Sequence, residues 1–136
     1  MCLYTTDPKI HIAKENIICY KILIKERKKW IYRIFHKSTY TAPFYMYHTY
    51  RLKEFNDLGR SLIVYTDYEV HSGFHSFVDI QDAKRMLDKW SETQRGWTIV
   101  KCIIPKGAEF VKGTIYKSPI SPASYVSHQI ICLKEV

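Results

Sequence analysis

Gly73-Phe74-His75-Ser76-Phe77-Val78-Asp79-Ile80-Gln81-Asp82-Ala83-Lys84-Arg85-Met86-Leu87 is the stretch where the periodicity of the chain changes. Before Val78 the residues read as a strand, 70–77, with Gly73 as a bend or bulge. After it, Ile80, Ala83, Met86, Leu87 and Trp90 recur at helical spacing and share one face. Asp79 suits the N-cap, because its carboxylate can accept a backbone N–H of the first turn. Gly96 suits the C-terminal stop, so a helix is expected over 79–94. Past it, 97–104 reads as a strand ended by Pro105-Lys106-Gly107. The segment 68–136 is thus expected to be a strand–helix–strand–strand unit.

Working outward, Ile17-Ile18-Cys19-Tyr20-Lys21-Ile22-Leu23-Ile24 is β-branched and aromatic, interrupted only by Lys21. It predicts a strand, paired as a hairpin with 30–35 across the charged turn Lys25-Glu26-Arg27-Lys28-Lys29. Short strands are expected at 3–5, 50–55, 62–65 and 110–111, with Ile130-Ile131-Cys132-Leu133 closing the sheet. Gly59 marks a turn. Pro43 among Tyr40, Phe44, Tyr45 and Tyr47 argues against a helix there, and Pro119 and Pro122 mark 117–123 as a loop. Many strands and one helix make this α+β, a mostly antiparallel sheet with one main helix, in a single domain over 1–136.

The composition fits such a domain. The chain has 136 residues, 46% of them hydrophobic and 25% charged, with eleven tyrosines. Cys19, Cys102 and Cys132 sit inside apolar runs and read as buried free thiols. The first residues lack a basic region followed by an apolar stretch, and no apolar run suits a membrane helix. A cytoplasmic protein without disulfides or a membrane-spanning segment is therefore expected.

The charge is uneven. Residues 1–60 carry twelve Lys and Arg against five Asp and Glu; residues 61–136 carry nine against eight. Nearly all of the net +8 falls in the first part, which points to an acidic partner, either nucleic acid or an acidic protein surface. Lys25, Arg27, Lys28, Lys29 and Trp30 are the candidate contacts, since cations beside an aromatic can track phosphates and stack on bases. A lysine-rich turn that simply stays solvated is the plainer reading of the same residues.

Catalytic and metal patterns are sparse. His71 and His75 are four apart across a glycine on a strand, and no Cys-x-x-Cys occurs, so no metal is expected. Neither a Gly-x-Ser-x-Gly elbow nor a glycine-rich phosphate loop is present.

Two resemblances add to this. Ile17-Ile18-Cys19-Tyr20-Lys21, Gly73-Phe74-His75-Ser76-Phe77, Val100-Lys101-Cys102-Ile103-Ile104-Pro105-Lys106-Gly107 and Tyr125-Val126-Ser127 together resemble a group of small proteins of gut anaerobes and their phages. That resemblance implies no activity, though a phage-associated accessory protein that binds a host protein would fit it. Gly73-Phe74-His75-Ser76-Phe77, with Asp82-Ala83 and Ile99-Val100-Lys101-Cys102, is similar to the central part of diphtheria-type ADP-ribosyltransferases. It implies a degenerate fold of that type and an NAD site around Tyr20, Gly73, His75 and Ser76. The departures are several. His75 and Met86 stand at the two aromatic positions, Lys21 replaces the usual early-strand residue, Ser124 precedes Tyr125 where a Glu is expected, and Glu135 is the only late carboxylate. The expectation is therefore a non-catalytic binding or regulatory module without a cofactor. The alternative is an NAD-using enzyme with altered catalytic residues.

Overall fold

A computed structural model describes residues 3–25, 31–33, 49–64, 69–70, 73–91, 97–114 and 121–136. Its strands are β1 (Leu3–Tyr4), β2 (His11–Ile12), β3 (Ile17–Lys25), β4 (Ile31–Arg33), β5 (Thr49–Arg51), β6 (Phe55–Asp57), β7 (Glu69–Val70), β8 (Phe74–Phe77), β9 (Trp97–Ile104), β10 (Glu109–Thr114), β11 (Ala123–Ser127) and β12 (Gln129–Glu135). The helix α1 (Ile80–Ser91) lies between β8 and β9 in the chain. Every described strand pairing is antiparallel, in the order β6-β12-β9-β3-β8-β11-β10-β1-β7, with β2 added to β10, β4 to β3 and β5 to β4. Among the described residues, the mostly antiparallel sheet with one helix is as the sequence predicts.

The central feature is the joint between β11 and β12. His128 alone separates them, yet β11 pairs with β8 and β12 with β9. In a flat sheet they would lie four strand spacings apart, roughly 19 Å. One residue spans only about 3.5 Å. The sheet must therefore coil. Along the way Ser124 faces Phe77, Phe77 faces Tyr20, Tyr20 faces Lys101 and Lys101 faces Lys134, so four ladders lead from β11 to β12. The bend is fixed at His128, whose N–H donates to the Glu109 carbonyl at 3.1 Å and whose Nδ1 accepts the Glu109 N–H at 2.8 Å.

Strand alternation then gives an inner and an outer face. Cys19, Leu23, Tyr50, Phe74, Val100, Cys102, Ile104, Ile130 and Cys132 fill the inner one. On the outer one, α1 lays Ala83 and Met86 against Ile22, Phe77 and Ile99, with Tyr20, Leu87 and Trp97 around them. Asp79 caps α1 as expected, its Oδ1 accepting the Gln81 N–H at 2.8 Å. The helix is described to Ser91; the expected stop at Gly96 lies outside the described residues.

Several boundaries differ from expectation. The predicted strand 70–77 is two strands on different neighbours, broken at Gly73. Gly73 has φ +116°, and a Cβ there would meet Val126 Cγ1 at 2.5 Å. The predicted strand 50–55 is likewise two, β5 and β6, because Lys53 turns the chain with φ +65°. Its N–H donates to the Cys132 carbonyl at 2.6 Å. Residues 61–64 form no strand: Leu62 is buried beside Leu3, Val70, Val111 and Val126, and its N–H donates to the Glu109 carboxylate at 3.3 Å instead of to a ladder. Ala123, placed in a loop by the prolines, opens β11; residues 115–120 lie outside the described residues.

Candidate functional site

Two regions of the β3–β9–β12 sheet invite a functional reading, one on each face. On the inner face, β3 directs Cys19, Lys21 and Leu23 inward by its period of two. Cys19 faces Cys102 on β9, and Cys102 faces Cys132 on β12, so three thiols form a row across three strands. Lys21, 3% exposed, enters the same layer. Its ammonium donates to the His75 carbonyl and stands 5.1 Å from the centroid of the Tyr50 ring. A carbonyl and an aromatic face are what a buried cation needs in place of water.

The electrostatics follow from burial. Desolvation pushes the Lys21 amine below its ordinary range, with Cys102, Cys132 and Cys19 opposing it. Desolvation raises the Tyr50 phenol well above its ordinary value. Cys19 is pushed up to about 12 by burial, against the pull of the Ser76 hydroxyl and Lys21. The other two thiols split. Cys102 is raised by burial, whereas the Cys102 S–H donated across 3.4 Å to Cys132 Sγ lowers Cys132, aided by Lys21.

The outer face is different. Ile18 faces Ile103, Ile103 faces Ile131 and Ile131 faces Phe55, giving an apolar row across β3, β9, β12 and β6. The ends of the row are open: Ile18 is 49% and Phe55 54% exposed. One step along the strands, Lys101 lies directly opposite Lys134, Lys101 half-buried and Lys134 exposed. At the other end Asp57 faces Gln129 and accepts the Gln129 amide at 2.8 Å and the Gly59 N–H at 2.7 Å. Those two bonds, the Gly59 one foremost, hold its carboxyl below the usual range.

The sequence-predicted site residues do not converge. Tyr20 is partly buried beside α1. Gly73 is the bend against Val126. His75 is half-buried and faces the opposite way from Ser76, which is buried toward Cys19. Strand alternation thus divides His75 and Ser76 between the two faces. Lys25 ends β3, its backbone opposite Tyr32; its side chain, and Arg27, Lys28, Lys29 and Trp30, lie outside the described residues.

Sequence reasoning passed over both faces, although each left a trace. A lone lysine between Cys19 and Leu23 has the inward period. The doublets Ile17-Ile18, Ile103-Ile104 and Ile130-Ile131 put apolar side chains on both faces of adjacent strands, the pattern of a sheet meant to be covered twice. Among the described residues, no group of three or more His, Cys, Asp or Glu can hold a metal ion, and no helix is long and apolar enough to cross a membrane.

The fold and these faces define a small α+β protein built on a coiled antiparallel sheet. No protein-family model matches the chain, and no curated protein or solved structure is significantly similar to it.

Proposed function

We propose that this chain is a non-catalytic binding module whose outer face takes an acidic, apolar-faced segment of another protein. The observation that carries it is the open row Ile18–Ile103–Ile131–Phe55 next to the opposed pair Lys101 and Lys134. Like charges directly opposite on neighbouring strands are destabilising. An anionic side chain placed between the two ammonium groups would relieve that. An exposed apolar strip would be covered by the same segment. The net charge of +8 favours an acidic partner at longer range. Nucleic acid is the weaker occupant, because the open row offers three isoleucines and one phenyl ring, while the Tyr20 and Trp97 rings of the same face pack beside α1.

Three probes test this: an acidic amphipathic helical peptide, a basic peptide with the same apolar face, and single-stranded DNA. The acidic peptide binds best, and its affinity falls with salt. Ile18→Ser with Phe55→Ser weakens it about tenfold or more, equivalent to one or two lost hot-spot contacts. Lys101→Glu with Lys134→Glu reverses the preference between the peptides. Equal binding of both peptides, no binding of either, or DNA binding untouched by these variants overturns the reading.

The alternative NAD-using enzyme of an ADP-ribosyltransferase-like fold draws support only from the short motif at Gly73, His75 and Ser76 and from Glu135. The division of His75 and Ser76 between faces weighs against it. Thermal-shift scans with NAD, nicotinamide and ADP-ribose distinguish it, and stabilisation by any of them would revive it.

A further inference from the structure

We propose that Cys102 and Cys132 are a redox-active thiol pair, oxidised by a hydroperoxide to a disulfide that ties β9 to β12 directly behind the outer face. The geometry is that of a disulfide waiting for its bond. The two residues are directly opposed in an antiparallel ladder. Such partners have Cα atoms about 4.5–5.5 Å apart, within the roughly 4.4–6.8 Å that a disulfide spans. Their sulfurs already stand 3.4 Å apart, so small side-chain rotations close the bond.

Three further features distinguish this pair from ordinary buried thiols. First, the sulfurs are in contact: the Cys102 S–H has Cys132 Sγ at 3.4 Å and the Val100 carbonyl at 3.6 Å as acceptors, and when donated to sulfur it leaves Cys132 the thiol that gives up its proton more readily. Second, a cation sits in the same layer, the Lys21 ammonium, which stabilises negative charge on sulfur. Third, the ladder between β9 and β12 is irregular immediately after Cys132, with the register shifting before Lys134. Bulges of this kind loosen pairing beside functional positions. The strand on the far side, β6, is only three residues long. Cys19 is the contrasting thiol. It also faces Cys102, but burial pushes it up and holds it as the thiol.

The chemistry balances with hydrogen peroxide as the oxidant. The Cys132 thiolate attacks one peroxide oxygen, the O–O bond breaks, and the departing hydroxide takes a proton to become water. Cys132 is then a sulfenic acid. The Cys102 sulfur attacks the Cys132 sulfur, the S–O bond breaks, and the hydroxide that leaves takes the Cys102 proton. Two thiols and one peroxide thus become one disulfide and two waters. The buried position selects a small oxidant over a bulky disulfide such as oxidised glutathione.

The test treats the native full-length protein with hydrogen peroxide, then denatures it in an alkylating agent. Peptide mapping is expected to show one intramolecular disulfide, Cys102 to Cys132, with Cys19 alkylated. In Cys102→Ser the reaction stops at a Cys132 sulfenic acid that dimedone traps. Cys19→Ser leaves the disulfide intact, and Lys21→Met slows its formation severalfold. The inference is overturned if Cys102 and Cys132 both remain alkylatable, if Cys19 is the bonded partner, or if dimedone labels Cys102 in Cys132→Ser as fast as Cys132 in Cys102→Ser. The unoxidised native protein supplies the baseline, so a variant that fails to fold does not decide the matter.

Discussion

The inner and outer faces of β3, β9 and β12 invert the usual distribution of side chains. The inner face buries an ammonium group among thiols, a phenol and a carbonyl. The outer face leaves isoleucine and phenylalanine open to water. The same strands supply both, residue by residue. On β3, Ile18 is exposed while Lys21, three positions on, is almost wholly buried. A scattered exposed apolar residue needs no explanation, but a cross-strand row of four does. A buried lysine is equally uncommon, and it persists here because each part of it has a partner. The methylenes have the core, and the ammonium has His75 and Tyr50. The lesson is that the outward apolar row and the inward cation are features of the same kind, each a departure from what folding alone requires.

The comparison can be broken most directly on β3 itself. Leu23→Ala on the inner face is expected to cost about 2–5 kcal/mol in urea unfolding, through lost burial and the cavity left behind. Ile18→Ala on the outer face should cost less than about 1 kcal/mol. Equal losses would mean that the outer face is core.

A sharper probe is Lys21. Lys21→Ala removes buried methylenes together with the bond from Lys21 to the His75 carbonyl, so about 2–5 kcal/mol should be lost. Lys21→Met keeps the volume and removes the desolvated charge, and it should cost less than about 2 kcal/mol. If Met is as damaging as Ala, the ammonium contacts matter more than the packing.

The smallest effect lies in pH. Cys19 has a folded value of about 12 against 9.0 unfolded, so the folded state holds the proton more tightly. Its contribution is whole below pH 9 and is lost as pH rises toward 12. Lys21 has the opposite sign. Its folded value lies below 10.5, so its penalty is full at low pH and relieved as pH climbs to 10.5. Urea midpoints measured from pH 8 to 12 should therefore decline less steeply in Cys19→Ala than in the native protein. They should decline more steeply below pH 10.5 in Lys21→Met.

Much of the fold was legible because its signals are local. The period of α1, the cap at Asp79 and the apolar runs of β3, β9 and β12 depend on neighbours in sequence, and they stand as expected. What was not legible depends on distant partners. Leu62 looks like a strand residue, but its N–H is taken by Glu109, 47 positions away. The prolines near Ala123 obscured β11, whose pairing with β8 and β10 rests on ladders that no local pattern announces. The candidate site was hidden for a related reason. Gly73–His75–Ser76 drew attention as a motif, whereas Lys101 and Lys134, or Cys102 and Cys132, become neighbours only when β9 and β12 pair.

The outermost described strands carry a last consequence. β2 and β7 have two residues each, and β5 and β6 three each. A visiting peptide that extends a sheet needs a run of free amides and carbonyls, and the described residues of these rims supply hardly any. Recognition would then depend on side-chain shape and charge, not on main-chain hydrogen bonds. A helix or a loop could be read as well as a strand, and the identity of a partner's side chains would matter more than its backbone form.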